Sequence, residues 1–361
     1  MTATESTPVM QTKQTMQTMQ TMQTMQTMQT IQTIIIYNPC AYHYECIESV
    51  IHYLPKILCH KLLPKPNIIL NINTTDAGFI KYIDTYTQNI IDKYVLSSIA
   101  IINAKEQIVL PSTPTDVRIV LTIPHEDKNI AMCAEIYNMP QTYWISHHYN
   151  LLYPKLSNIF YLAPHCDLPD QYFIPTILPF SPESVSFRPI TPEVCENPGL
   201  NLLVQGSLWR RNKAELFMLI NLVKLANEKM KDTSPNISPI KLYILTRKIL
   251  PNIPIHPCII LKTQSDFWEF NQLASHADII FTLTSNKTHP EYYNRSLTSS
   301  ISYGLGYRMH IVIDKNLAAI YNSDLSCSPS TVTTYSSLHE FKTQVIQIFT
   351  KYIANLNKNH E

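Results

Sequence analysis

The sequence lacks the features of several common protein classes. Charged residues make up only 15% of its 361 residues and the formal net charge is +1, so no general attraction to nucleic acid or anionic lipid is expected. No Lys/Arg-rich stretch contains interleaved aromatic residues, which argues against nucleic-acid binding. No run of eighteen apolar residues exists, so no transmembrane segment is expected. Because the N-terminus also lacks the basic start and apolar core of a signal peptide, we expect a soluble cytoplasmic protein.

Several catalytic motifs are also absent. There is no P-loop, G-x-G-x-x-G, G-x-S-x-G or H-E-x-x-H, which removes the commonest NTPase, dinucleotide-dependent, hydrolase and zinc-protease interpretations. Only 5 glycines stand beside 25 prolines, so each glycine marks a place where the backbone needs it. Gly78, the only glycine of the first folded half, is expected in a turn.

The cysteines form neither a disulfide framework nor a metal motif. None of the 8 cysteines has C-x-x-C spacing, so reduced and mostly buried thiols are expected. The pairs His147-His148 and His165-Cys166 could ligate a metal, but adjacent residues in a strand point to opposite faces. The ligand spacings of structural zinc sites are missing, and we predict no metal site.

The chain length suits two domains. Residues 14–30 repeat Gln-Thr-Met, a period that matches neither helix nor strand, so 1–33 is predicted to be a disordered, low-complexity tail. The apolar pattern then runs over 34–180 and stops in the proline-rich segment 181–199, a predicted connector. It resumes over 200–361.

Strand and helix patterns alternate in both halves. In the first, the apolar strand Ile34–Tyr37 and the helical pattern of Phe79–Tyr94 are examples. In the second, the strand Leu200–Gln205 precedes a helix at Lys213–Lys229, and Leu338–Leu356 is a long closing helix. Alternation of this kind predicts βαβ units and parallel sheets. The expected fold is therefore α/β with two Rossmann-like domains.

Open parallel sheets bind ligands at the carboxyl ends of their strands. After Leu200–Gln205, Gly206 would let the backbone approach a ligand, and the next helix presents free N–H groups. Arg210, Arg211 and Lys213 add positive charge where a diphosphate would lie. A solvated basic helix start is the equally weighted alternative, although cations oppose the helix dipole there.

Two further segments carry candidate groups. Tyr293 and the successive hydroxyls that include Ser299 and Ser300 could hold a phosphate or merely cap a helix. Gly304 and Gly306 in that helix suggest close packing on the sheet.

In the first half, His43 follows the first strand and could act as a general base facing the other domain. Glu45 or Glu48 could orient His43 or bind sugar hydroxyls. The alternative is that these carboxylates only favour a helix N-terminus.

At these residues the chain resembles a family of GT-B glycosyltransferase-like proteins of algae and large viruses. The matching pieces run in order through nearly the whole chain after residue 33: Tyr37-Asn38-Pro39, Tyr42-His43-Tyr44-Glu45, Glu48-Ser49, His147-His148, Leu178-Pro179-Phe180, Gln205-Gly206, Arg210-Arg211-Asn212, Pro290-Glu291-Tyr292-Tyr293, Leu297-Thr298-Ser299-Ser300 and Ile313-Asp314.

The resemblance implies two Rossmann-like domains facing each other across a cleft. A nucleotide-sugar donor would rest on the second domain, and a glycan, protein or small-molecule acceptor on the first. GT-B enzymes generally need no metal ion, and no cofactor is implied. Protein cations and helix N-termini would steady the departing diphosphate. That role falls to five residues: Arg210, Arg211, Lys213, Ser299 and Ser300. If the protein is viral, its place would be the host cytoplasm.

One departure from the family pattern opens alternatives. Many retaining GT-B enzymes carry a Glu-x7-Glu pair, and the corresponding positions here are Arg295 and Tyr303. A metal-independent glycosyltransferase is the leading interpretation. A catalytically inactive GT-B-like binding or scaffold protein is the second, and a nucleotide-sugar epimerase of similar architecture is the third.

Overall fold

A computed structural model gives the fold of most of the chain. It describes residues 33–38, 47, 50, 67–72, 76–94, 97–103, 117–121, 142–146, 159–161, 172–173, 199–233, 238–247, 252–254, 256–294, 298–326 and 330–358. The predicted tail before residue 33 and nearly all of the predicted connector 181–199 lie outside these residues.

The first half contains a seven-stranded sheet in which all pairs are parallel. Its strand order is β3-β2-β1-β4-β5-β6-β7. The strands are β1 (Thr33–Asn38), β2 (Asn67–Ile72), β3 (Ser98–Asn103), β4 (Val117–Leu121), β5 (Thr142–Ser146), β6 (Ile159–Tyr161) and β7 (Tyr172–Phe173). Buried β-branched residues such as Ile34 and Ile36 fill the centre of β1, as expected for a strand covered on both faces.

The second half repeats this topology in a six-stranded parallel sheet of order β10-β9-β8-β11-β12-β13. Its strands are β8 (Asn201–Gln205), β9 (Lys241–Thr246), β10 (Ile259–Thr263), β11 (Ile279–Phe281), β12 (His310–Asp314) and β13 (Val332–Tyr335). In both sheets the order reverses beside the first strand, which is the doubly wound Rossmann pattern. The predicted fold class, α/β with two Rossmann-like domains, is confirmed.

Helices connect the strands. They are α1 (Ala77–Tyr94), α2 (Lys213–Thr233), α3 (Phe267–Ser275), α4 (Glu291–Asn294), α5 (Ser299–Gly306), α6 (Lys315–Ile320), α7 (Asn322–Ser326) and α8 (Leu338–Lys358). One face of the second sheet is covered by α2 and α8, and Phe341, Val345 and Phe349 of α8 lie in that core at the predicted spacing of four. Gly304 of α5 packs on the sheet as predicted, because a Cβ there would lie 2.7 Å from Ile311 Cγ1.

The strands that the sequence did not predict, β3 and β13, are both at the edge of a sheet. An edge strand pairs on one side only and exposes part of its surface, which explains the weak apolar pattern of β13. The apolar run Ile99–Ile102 of β3 was a signal that the prediction overlooked. In β13, Val332 and Thr333 are half-buried, Thr334 is exposed and Tyr335 alone is buried. The short helices α4, α6 and α7 were not predicted either.

The prediction of a turn at Gly78 was wrong. Gly78 is the second residue of α1, and the helix begins there because Asp76 Oδ1 accepts a hydrogen bond from Phe79 N at 2.9 Å. The glycine is needed for a close approach to α3 of the other half. A Cβ at this position would meet the Asp266 carboxyl group and lie 2.7 Å from Trp268 N.

The two halves meet where α1 and α3 begin. The Asp76 carboxylate accepts the Phe267 N–H, with both oxygens at 3.1 Å. The Phe267 ring packs edge-on against Phe79, with 5.1 Å between centroids, and Tyr82 lies beside both. Phe79, Tyr82 and Phe267 are buried in one apolar cluster that draws residues from both sheets. The contact therefore joins the two cores.

Candidate functional site

The sheet of the second half reverses its strand order between β8 and β11. Ligands of open parallel sheets bind outside the strand ends at such a switch point. The chain leaves β8 through Gly206 and a short 3-10 helix, Leu208–Arg210, before entering α2. It leaves β11 through a longer segment that contains α4 and ends at α5. These two connections form the candidate site.

Arg211 lies at the floor of this switch point and is only 3% exposed. Its Nη1 donates to Thr282 O at 2.7 Å, and its Nη2 donates to Gln205 O. The guanidinium thus bridges the carboxyl ends of β8 and β11. Nη2 also donates to Ser300 Oγ at 3.1 Å, which reaches the first turn of α5. The sequence predicted a phosphate ligand here, and the structure gives Arg211 a structural role as well.

Arg211 carries a positive charge that no ion pair among the described residues neutralises. Within the described residues no acidic side chain forms an ion pair with it, and its Nε has no hydrogen-bond partner there. Burial lowers the pKa of the Arg211 guanidinium, because desolvation penalises the charged form. A buried cation without a counter-ion is costly, so this position favours an anion.

Gly206 creates the space for this guanidinium. Its φ is +94°, and a Cβ would lie 2.8 Å from Arg211 Nη2, so only glycine allows the turn over the arginine. On the facing strand end, Leu283 also has a positive φ, of 46°, and its carbonyl accepts the Asn212 N–H at 2.7 Å. Strained backbone at non-glycine residues clusters at functional sites. Both strand ends are thus shaped around the start of α2.

The N-terminus of α5 has no side-chain cap. Thr298 occupies the N-cap position without capping the helix, and its Oγ1 has no partner among the described residues although Thr298 is 1% exposed. Ser299 and Ser300 follow, and their hydroxyls accept hydrogen bonds from Gln205 Nε2 at 3.1 Å and 3.3 Å. The first N–H groups of a helix have no partner inside it. An anion could therefore satisfy them.

Glu215 is a buried carboxyl group behind the site. Its Oε1 accepts from Asn212 Nδ2 at 2.7 Å, and its Oε2 accepts from Tyr335 Oη at 2.8 Å. Burial, as the largest cause, raises the pKa of Glu215 to about 7, and the charge of Asp314 adds to the rise. Near neutral pH a large share of Glu215 is uncharged. Glu215 therefore carries less negative charge near neutral pH than an ordinary glutamate.

The remaining predicted site residues differ in how deeply they are buried. Tyr293 is half-buried and donates its hydroxyl to Thr284 O at 3.0 Å. Burial raises the pKa of Tyr293 above its ordinary value, and Asp314 raises it further. Lys213 is exposed at the first position of α2. Arg210 is half-buried and holds its guanidinium carbon 4.6 Å from the Trp209 ring centroid. The structure thus brings Arg211 and Ser300 together and leaves Lys213 at the rim.

The predicted catalytic residues His43 and Glu45 lie outside the described residues, as does Glu48. The same holds for the His147-His148 and His165-Cys166 pairs. Within the part of the chain that the structure describes, no group of three or more His, Cys, Asp or Glu side chains could hold a metal ion. Nor is any helix there long and apolar enough to cross a membrane.

Sequence reasoning missed two groups of this site. Glu215 stands three residues after Asn212, a spacing that predicts a helix start but not a buried acid. Thr282 and Thr284 follow β11 on the far side of the switch point, and both are fully buried. The polar residues after an apolar strand were the available signal for that second group.

Comparisons with known proteins give distant similarities in structure. No protein-family model and no curated protein sequence matches the chain. The N-terminal domain of trehalose-6-phosphate phosphatase from Candida albicans shares 8% identity over 89% of this chain and 89% of that chain, with a TM-score of 0.45. The glycotransferase of kitacinnamycin shares 8% over 89% and 91%, with a TM-score of 0.44. The UDP-GlcNAc 2-epimerase of Methanocaldococcus jannaschii shares 10% over 88% and 92%, with a TM-score of 0.42. The fold assignment above rests on strand order and register.

Proposed function

We propose that the protein is a metal-independent glycosyltransferase that moves a sugar from a nucleotide-diphosphate donor to an acceptor. The observation that carries the proposal is the buried guanidinium of Arg211 beside the uncapped N-terminus of α5, at the switch point of a parallel sheet. Both groups are positive, and no described carboxylate pairs with the arginine. A phosphate group would satisfy the two together.

The chemistry follows from this charge. When a sugar leaves its donor, negative charge accumulates on the departing diphosphate. Fixed donors aimed at that charge lower the barrier, because they need no reorganisation during the reaction. Here the stabilising groups are the first N–H groups of α5, the positive charge of Arg211, the half-buried Arg210 and the rim residue Lys213. In the proposal, His43 of the first half removes the acceptor's proton and Glu45 orients His43.

The first test is binding. The full-length protein is screened by thermal shift against UDP-, GDP-, ADP- and CDP-sugars, with and without EDTA. A ligand at 100 times its dissociation constant stabilises by about 2.7 kcal/mol, so at least one donor is expected to raise the melting temperature clearly, and EDTA is expected to leave the shift unchanged. The proposal is abandoned if no nucleotide-sugar changes the melting temperature.

A second function, nucleotide-sugar binding without catalysis, has one observation in its favour. Tyr303 stands where many retaining enzymes have a glutamate. It is 5% exposed and packs against Phe270 and Tyr307 at centroid distances of 5.1 Å and 6.2 Å. That side chain belongs to the core of the fold.

Product analysis separates the two functions. A donor found in the screen is incubated with acceptor mixtures, and products are identified by mass spectrometry, which also separates transfer from epimerisation. For a transferase, His43→Ala abolishes product while donor binding persists. Donor binding without any product, in wild type and His43→Ala alike, identifies the inactive binding protein.

A further inference from the structure

Trp209 is a large apolar side chain that the fold does not bury. It lies in the middle of the short 3-10 helix Leu208–Arg210 and is 57% exposed, although Leu208 beside it is 1% exposed. Arg211, two residues further along the chain, is also buried. Tryptophan is usually highly buried, because it removes so much apolar surface from water. Because the side chains of Leu208 and Arg211 are turned into the protein, Trp209 between them faces outward.

The ring is held in one orientation by its neighbours. The Arg210 guanidinium lies over the ring with 4.6 Å to the centroid. The imidazole of His289 meets it edge-on at 5.8 Å. His289 is itself 7% exposed, packs 4.6 Å from the Tyr292 ring and places Nδ1 2.8 Å from Thr288 O. A side chain fixed before a ligand arrives loses little entropy on binding.

This aromatic group spans the switch point. Trp209 belongs to the connection after β8, whereas His289 and Tyr292 belong to the connection after β11. Arg211 and the N-terminus of α5 come from the same two connections. The exposed ring and the anion-binding groups are therefore parts of one site.

We propose that Trp209 is the stacking surface for the base of a nucleoside diphosphate whose phosphates lie at Arg211 and the N-terminus of α5. This assignment rests on the proposed function and adds the position of the base. A base has two flat π-faces, and aromatic rings and guanidinium planes are the groups that stack on such faces. Because stacking reads no hydrogen-bond pattern, Trp209 accepts purines and pyrimidines alike.

Calorimetry separates the base from the rest of the ligand. Binding of UDP, inorganic pyrophosphate and glucose 1-phosphate is measured for wild type, Trp209→Ala and Trp209→Phe. The control is Leu225→Ala, which removes another exposed apolar side chain, 60% exposed, from α2. Trp209→Ala is expected to weaken UDP binding roughly tenfold or more and to leave pyrophosphate binding unchanged. Trp209→Phe keeps a ring and recovers part of the loss.

The other outcomes overturn the assignment in distinguishable ways. If Trp209→Ala weakens glucose 1-phosphate binding but not UDP binding, the stacked ring is the sugar and the base lies elsewhere. If all three ligands bind both proteins equally, Trp209 has no role in the site, while the proposed function stands. If wild type binds none of the three ligands and no nucleotide-sugar, the proposed function fails together with this assignment.

Discussion

Two helices of the second half, α3 and α5, each follow a strand of the same sheet, but their N-termini differ in charge and in capping. At α3, Asp266 caps the helix by accepting the Glu269 N–H at 2.8 Å, and Asp76 from the first half accepts the Phe267 N–H. At α5, Thr298 makes no cap. The charged side chain at this end is Arg211, which donates a hydrogen bond to Ser300 in the first turn.

The difference shows how one structural element serves two purposes. A helix N-terminus carries a partial positive charge. Where two carboxylates satisfy it, as at α3, it becomes a permanent contact between the halves. Where a buried cation increases that charge, as at α5, we propose that an external anion binds. Charge around the first turn thus separates the structural helix from the candidate ligand helix.

The largest expected effect comes from removing the cation at α5. Arg211→Ala leaves the buried carbonyls of Gln205 and Thr282 without their donors, and we expect a loss of about 3 kcal/mol or more in the free energy of unfolding. Urea denaturation measures it. Arg210→Ala, which removes a half-buried arginine from the adjacent position, is the control and should change stability far less. Unchanged stability of Arg211→Ala would show that the guanidinium serves the ligand alone.

The second prediction concerns the buried acid near α5. The pKa of Glu215 is raised from 4.5 to about 7, so the folded state holds its proton more tightly than the unfolded chain. Its contribution to stability is full below pH 4.5 and is lost as pH rises to about 7, which amounts to about 3 kcal/mol at most. Chemical denaturation from pH 5 to 8 measures the slope.

Glu215→Gln provides the control for that slope. The amide keeps the size of the side chain and does not titrate, so its stability is expected to vary less between pH 5 and 8. Parallel pH profiles of wild type and Glu215→Gln would mean that Glu215 is ionised in the folded protein throughout. In that case the carboxylate would offset the charge of Arg211 after all.

A smaller effect is expected at α3. Asp76→Ala removes the acceptor shared by Phe79 N and Phe267 N, and the loss of such a cap costs about 1–2 kcal/mol. The exposed Asp84 on the same helix gives the matched control, Asp84→Ala, which should cost little. Limited proteolysis should also cut Asp76→Ala faster between the halves. Equal stability of the two variants would mean that the aromatic contact alone holds α1 to α3.

The smallest effect turns α5 into a helix like α3. Thr298→Asp introduces a capping carboxylate of similar size, expected to add about 0.5–1 kcal/mol of stability without ligand. The same carboxylate should weaken pyrophosphate binding, so stability and affinity move in opposite directions. Thr350→Asp, the same charge change on the exposed face of α8, should do neither. If Thr298→Asp binds pyrophosphate as wild type does, the anion does not lie at α5.

The sequence predicted the elements whose burial is strong and local. The predicted helix Phe79–Tyr94 and the predicted strand Leu200–Gln205 agree closely with α1 (Ala77–Tyr94) and β8 (Asn201–Gln205), because their buried apolar residues follow the period of the element. It missed β13, since an edge strand needs fewer apolar residues, and it overlooked β3 although Ile99–Ile102 are apolar. The bond between Glu215 and Tyr335 joins positions 120 residues apart, and no periodicity within either segment signals it.

The sequence predicted the candidate site in the connections after β8 and β11, but it did not distinguish buried from exposed residues there. Basic residues after β8 indicated an anion site, because the charge of a side chain can be read directly from the sequence. It does not carry burial, so Arg211 and the rim residue Lys213 looked equivalent. Trp209 was not predicted as a site residue for the same reason, because the sequence does not show whether a tryptophan is exposed or buried.

The shared carboxylate of Asp76 also bears on how the chain assembles. It accepts a hydrogen bond from an N–H of α1 that is 3 residues away in sequence. It also accepts one from the first N–H of α3, which is 191 residues away. The second half alone therefore lacks one acceptor that its helix α3 uses, the Asp76 carboxylate of the first half. An isolated second half, starting after the connector, would therefore begin α3 with Asp266 alone and with the apolar ring of Phe267 exposed to water. We expect the two halves to melt in one cooperative transition, because the start of α3 depends on a carboxylate of the first half.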